Sequence, residues 1–439
     1  MSDLRKSWRP LALFAGAVLI IAGCQENLGG GAACATLCPD TLSLKDTVLV
    51  ASEVLDTDAT VSLPPLGTES QILLADYQQG SQTPLPVRTV GVLRFDSLLR
   101  VVPDSDTTAA PRYFDRVDSA GVVVNVTTPD STKAAQFVKD TVTFLVYDVD
   151  VDAPDFDTAA VRERFSTPPI ASRVVPPDSI FGKSIRIDLD SGFVGRHVRD
   201  GTRIRLGIAV QSKQGVQVRI TSSEGGSSAS LRYFGFHDTT RVFEIVPVNT
   251  EASVGPPIPS LADYTLVLAG TPPPPDGVLA AGGIPSSRIF LRFALPPALV
   301  DSSTTIVRAN LELHQLGNSA FSSTDSMFLS TRVVRAKPGL TDVAKASLLA
   351  TDPSSLGIRV PAITAAPTLT RVDTIPLVGL LLAWKAEGAA ASQRAIVLQA
   401  SGETLDPRQY YIYSSAATPD SLRPRLHISY IPKSGFGLP

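Results

Sequence analysis

The sequence predicts an all-β protein built as two tandem antiparallel β-sandwiches of the jelly-roll kind, and three observations carry that expectation. Pro 35 and Gly 31, among abundant Thr, Ser and Val, suit short strands separated by turns. Apolar and polar residues alternate with period two in many short segments, as half-buried strands require. An internal repeat places two similar modules one after the other in the chain of 439 residues.

The repeat is read from short correspondences that keep one order. Ile72-Leu73-Leu74-Ala75 and Val92-Leu93-Arg94-Phe95-Asp96 in the first half match Leu266-Val267-Leu268-Ala269 and Phe290-Leu291-Arg292-Phe293-Ala294 in the second. Ser119 to Val124 then matches Arg308 to Leu313, and Arg205 to Val210 matches Arg394 to Gln399. Val218 to Ser223 matches Tyr411 to Ser415, and Ala229 to Tyr233 matches Arg423 to Tyr430. Within these segments Leu311 and Leu313 face a core while Asn310, Glu312 and His314 face outward. Arg94 and Arg292, each flanked by apolar residues, are expected to pair with backbone or carboxylates rather than with a ligand. Val378 to Glu387 is the chief helical segment, with Trp384 closing one end of the second sandwich.

The start of the chain carries an address. Arg5, Lys6 and Arg9 precede the apolar run Leu11 to Ile21 and the small residues Ala22 and Gly23, the pattern of a cleaved export signal. The apolar run falls short of the roughly 20 residues that span a bilayer. Ile21-Ala22-Gly23-Cys24 resembles the lipobox of bacterial lipoproteins, which implies cleavage before Cys24 and acylation of that residue. Several acyl chains give a durable anchor where one gives marginal binding. In that family Asp after the cysteine commonly marks retention in the inner membrane; Gln25 stands there, so the resemblance implies an outer-membrane location facing the periplasm or the cell surface. Cys34 and Cys38 remain, and in an oxidising compartment they suit one small disulfide loop or a pair of free thiols.

The organisation expected is therefore a signal peptide over 1–23, a tether over 24–39 and a first sandwich over 40–248. A Pro-containing linker over 249–260, a second sandwich over 261–433 and a tail over 434–439 follow.

Arg292-Phe293, Ala309-Asn310-Leu311-Glu312-Leu313 and Arg423-Pro424-Arg425-Leu426-His427-Ile428-Ser429-Tyr430, with Trp384, resemble the DNRLRE domain family. The first half keeps Arg94-Phe95-Asp96 but lacks the tryptophan and the closing Arg-Pro, and so resembles a diverged copy. The resemblance implies β-sandwich modules of secreted proteins, some of them classed as carbohydrate-binding.

Composition and motifs narrow the chemistry. A formal net charge of −3 without a basic block argues against a nucleic-acid partner. The 4 histidines, His197, His237, His314 and His427, stand apart, and no Gly-x-Ser-x-Gly, His-Glu-x-x-His or phosphate-binding glycine loop occurs, so no enzyme activity is expected. Asp148, Asp150 and Asp152 alternate along one stretch and offer hard oxygen ligands for calcium, or simply a solvated strand end. No other cofactor is indicated. Trp384, Tyr411 and Tyr413 are the aromatic candidates for stacking on sugar rings, against a role in the core or on a sheet face.

The expectation is a non-catalytic, lipid-anchored envelope protein whose sandwiches bind glycan or another extracellular polymer. A structural or adhesive protein that binds envelope proteins is the second reading, and a lipid-anchored hydrolase the third.

Overall fold

The computed structural model describes residues 44–62, 67, 69–77, 87–102, 112–113, 116–129, 138–152, 158–235, 242–251, 261–300, 304–318, 327–335, 363–365, 370–386, 394–400, 403 and 405–432. The signal, the tether with Cys24, Cys34 and Cys38, most of the 249–260 linker and the tail lie outside the described residues.

The strands in the first part of the chain are β1 (Lys45–Val50), β2 (Leu55–Ser62), β3 (Gln71–Tyr77), β4 (Val87–Phe95), β5 (Val101–Val102), β6 (Arg112–Tyr113), β7 (Val117–Asn125) and β8 (Val142–Asp148). After them come β9 (Ala171–Val175), β10 (Ser184–Leu189), β11 (Ile204–Gln211), β12 (Val216–Thr221), β13 (Ser230–Gly235), β14 (Phe243–Ile245) and β15 (Asp263–Ala269). The remainder are β16 (Val278–Gly282), β17 (Ser287–Phe293), β18 (Thr304–Leu316), β19 (Met327–Arg335), β20 (Ile363–Ala365), β21 (Arg371–Pro376), β22 (Arg394–Ala400), β23 (Gln409–Tyr413) and β24 (Arg425–Pro432).

They form two antiparallel β-sandwiches with the same strand plan. In the first, a layer ordered β10-β7-β13-β14 faces a layer ordered β12-β3-β4-β11-β8-β9, with β15 added to β4. In the second, β21, β18, β24 and β1 pair in that order as one layer, and β23-β16-β17-β22-β19-β20 form the other, with β2 added to β17. Gln315 and Leu316 at the end of β18 reach β23 and join these two layers. Each sandwich also carries a helix after the corresponding strand, Ser191–Asp200 after β10 and Val378–Ala386 after β21. This shared order is the structural form of the repeat.

Period-two patterning produces these layers. On β18, Ala309, Leu311 and Leu313 are buried while Asn310, Glu312 and His314 are half-exposed, so every second side chain enters the core. The first core gathers Leu93, Phe95, Val122, Val124, Phe144, Val146, Leu206 and Ile208, and the second gathers Leu291, Phe293, Leu311, Leu313, Ile396, Leu398 and Trp384. Where β11 must accept Phe165 on its outer face, the sequence places Gly207. A Cβ there would meet the ring at 2.4 Å.

Sheet membership does not follow the division read at 249–260. β15 lies beyond that stretch yet pairs with β4 of the first sandwich, so the chain crosses to the second sandwich between Ala269 and Val278. The second sandwich is closed from the other end of the chain. β1 pairs with β24 over Lys45–Val50, and β2 pairs with β17 over its whole length.

This corrects one match of the repeat. β3 and β16 share their neighbours, since β3 pairs with β12 and β4 while β16 pairs with β23 and β17. β15 therefore corresponds to β2, not to β3. Asp58-Ala59-Thr60-Val61 and Asp263-Tyr264-Thr265-Leu266 carry the same roles. Thr60 Oγ1 accepts the Ala280 amide at 2.9 Å, and Thr265 Oγ1 accepts the Leu73 amide at 3.1 Å. Val61 and Leu266 are both buried.

The two sandwiches touch directly. Ile284 packs with Leu73, Ala75, Tyr77 and Val87, with Leu405 against them. The Leu405 carbonyl accepts Gln217 at 3.3 Å and Arg219 at 3.0 Å. Burial, with Asp406 nearby, pushes the Tyr77 hydroxyl up to about 12.

Candidate functional site

The candidate site is a charged, open cleft of about 670 Å³ on the first sandwich, lined among others by Arg94, Asp96, Asp150, Asp152, Arg164, Arg203 and Glu251. It grows from the end of β4. Phe95 enters the core, so strand alternation sends Arg94 and Asp96 together to the opposite face. The chain at Val248 lies alongside that end, its amide donating to the Arg94 carbonyl at 2.9 Å and its carbonyl accepting the Asp96 amide at 3.2 Å. That contact carries Thr250 and Glu251 over the cleft. These linker residues are thus part of the site.

Three segments supply the rest. The helix Ser191–Asp200 begins with Asp190 capping the Phe193 amide and ends at Gly201, whose φ of 65° turns the chain back toward Arg203 and β11. The stretch after β8 brings Asp150 and Asp152. The end of the helix Thr158–Arg164 adds Arg164.

The charges interlock. Arg94 Nε donates to Asp96 Oδ1 at 2.8 Å and its Nη2 to Asp96 Oδ2 at 3.1 Å, a bidentate pair with both side chains buried. Nη2 of Arg94 also reaches Glu251 Oε1 at 2.6 Å. Arg203 Nε donates to Asp150 Oδ1 at 2.9 Å, Nη1 to Glu251 Oε1 at 2.7 Å and Nη2 to the Val151 carbonyl at 2.9 Å. Glu251 therefore bridges two arginines. Burial works against the Asp96 charge, but Arg94 and the amide and hydroxyl of Thr250 outweigh it and hold the carboxyl below its usual range. The hydrogen bond from Arg94 likewise holds Glu251 low. Arg164 and Asp152 stand on the rim as exposed side chains.

The acidic stretch takes a different part from the calcium cluster considered from sequence. Asp148 Oδ1 turns back to accept the Asp150 amide at 3.1 Å, and the Asp150 carboxylate is taken by Arg203. Among the described residues no three His, Cys, Asp or Glu side chains are placed to hold a metal ion. β8 ends at Asp148, so strand alternation does not extend to Asp150 and Asp152, and local capping and ion pairing occupy two of the three carboxylates.

The aromatic candidates separate. Trp384 is 1% exposed and packs in the second core with its ring centroid 5.5 Å from that of Phe293, so it is a core residue and not a sugar platform. Its helix is apolar on several sides, which drives the tryptophan inward. Tyr411 and Tyr413 lie half-exposed on the outer face of β23, with the Tyr411 hydroxyl donating to Gln409 Oε1 at 3.1 Å. Tyr410 points the opposite way and donates to Asp373 Oδ2 at 2.6 Å inside the body. These tyrosines are on the second sandwich and the cleft is on the first. Among the described residues the second sandwich shows a different arrangement at this position: Arg292 meets Asp56 at 3.3 Å, and Ala294 stands where the first has Asp96.

Among the described residues no helix is long and apolar enough to cross a membrane. No protein-family model matches the chain, and no curated protein matches it. Among solved structures it is similar to the N-terminal CBM22-1-CBM22-2 tandem domain of Paenibacillus barcinonensis Xyn10C, at 8% identity and a TM-score of 0.15, over 86% of this chain and 99% of that one.

Proposed function

We propose that the protein is a non-catalytic, lipid-anchored envelope protein whose first sandwich holds a neutral glycan chain in the Arg94–Arg203 cleft. The cleft carries this reading. Sugar hydroxyls both donate and accept hydrogen bonds, and they match a surface where guanidinium and carboxylate groups alternate. The network of Arg94, Asp96, Arg203 and Glu251 fixes those groups before any ligand arrives, which lowers the ordering cost of binding. Three arginines face four carboxylates in the lining, so neither a strongly anionic nor a strongly cationic polymer is favoured. The volume falls within the range of about 300–1,000 Å³ usual for small-ligand sites. The export signal, the lipobox resemblance at Cys24 and the DNRLRE resemblance support an envelope setting.

Affinity electrophoresis of the mature chain through a panel of neutral and acidic polysaccharides tests this. The expected result is retardation by a neutral polymer, lost in the rim variant Asp152→Ala/Arg164→Ala and kept in Tyr411→Ala/Tyr413→Ala. Retardation by no polymer, or equal retardation of the rim variant, overturns the reading.

A further inference from the structure

Residues 44–62 precede the first sandwich but are bound like a ligand to the second. β1 lies along β24 and β2 along β17, and Ala51, Val54 and Leu55 fill the second core. Val61 closes an outer cluster with Phe290, Val334, Ala395 and Val397. Polar contacts fix the register. Asp58 accepts the Ser415 amide at 2.6 Å and its hydroxyl at 2.7 Å, and Asp46 accepts the Ser429 hydroxyl. Every strand pairing of the segment is with a strand that begins after residue 277.

The first sandwich receives β15 in the same way, with Asp263 on Ser223 in place of Asp58 on Ser415. The difference lies in the covalent connections. β15 follows its own sandwich and leads directly into the next, whereas β1 and β2 join the described body only through residues 63–70. The named pairings, core contacts and hydrogen bonds are all non-covalent, and the same set can form if β16–β24 belong to another chain. In one chain the short connection gives the closure an effective concentration on the order of millimolar, so a second copy competes when chains are crowded or the latch is weakened.

We propose that Lys45–Ser62 is an exchangeable closure, seated in its own second sandwich in the monomer and in that of a second copy in a reciprocal dimer. The test uses the mature chain with Cys24, Cys34 and Cys38 replaced by Ser and with Asp46→Cys/Ser429→Cys at register partners. Reduced light and heavy-isotope chains are mixed over a range of concentrations, oxidised and digested, and the 46–429 disulfide is read by mass spectrometry. The expected result is mixed-isotope disulfides that rise with concentration, accompany a dimer on size exclusion, and form several-fold faster with Asp58→Ala. A second measurement omits the cysteine pair and reads light–heavy dimers by native mass spectrometry. In a parallel control, chains that carry the pair and are oxidised as monomers before mixing stay monomeric. Like-isotope disulfides alone at every concentration, with no mixed dimer in either measurement, overturn the proposal.

Discussion

Asp263 and Ser223, 40 positions apart and on opposite sides of the linker, are joined by two hydrogen bonds: Asp263 Oδ2 accepts the Ser223 amide at 2.7 Å and Oδ1 accepts its hydroxyl at 3.1 Å. Asp58 and Ser415 repeat the contact in the second sandwich. One carboxylate thus pins the added strand to the turn after β12 or β23. The two latches differ in burial, for Asp263 is buried and Asp58 half-buried. Burial of Asp263 makes its latch sensitive to pH.

Burial, reinforced by Glu224 and Glu69, pushes the Asp263 carboxyl up to about 6 despite the Ser223 bonds. The folded chain then holds this proton up to a higher pH than the unfolded chain, whose carboxyl titrates near 3.9. Between about pH 4 and 6 the contribution of this group falls as pH rises, by about 3 kcal/mol over the whole window. Asp263→Asn should flatten the pH dependence of urea stability there. Equal slopes in both proteins would contradict the assignment.

Arg94→Ala leaves the Asp96 carboxylate buried without its guanidinium and should cost about 3–5 kcal/mol. Arg203 pairs with partners nearer solvent, so Arg203→Ala should cost roughly 1 kcal/mol. Chemical denaturation of both variants checks the order; a larger loss at Arg203 would show that the buried pair is not the anchor of the cleft.

Trp384→Ala should lower stability by about 3–5 kcal/mol, because it opens a cavity beside Phe293. Below its melting temperature the variant should bind polysaccharide as the parent does. A selective loss of binding with unchanged stability would return Trp384 to the ligand site.

Local structure is legible in these residues, whereas pairing between distant strands is not. The alternation at Leu311 and Leu313 is a property of the strand itself, and it gave the buried face of β18 directly. The order of the repeat likewise survives for β4 with β17, β7 with β18, β11 with β22, β12 with β23 and β13 with β24. No local pattern reveals that β2 pairs with β17, more than 200 positions away, and the shared Asp-x-Thr pattern is too short to stand out. Glu251 was hidden for a related reason. It sits in a polar, proline-rich stretch that reads as a linker until Val248 is seen pairing with the end of β4. Trp384 illustrates the opposite error, since an aromatic side chain in an apolar helix is drawn to the core before it is offered to a ligand.

β1 and β2 close the second sandwich, and cutting the chain behind them reads how firmly they are held. A protease site placed within residues 63–66 is cleaved in the folded mature chain, and the product is passed over a size-exclusion column under native conditions. The fragment ending at the cut should co-elute with the body and separate only in denaturant. Release of the fragment in native buffer, with the remainder still folded, would contradict it.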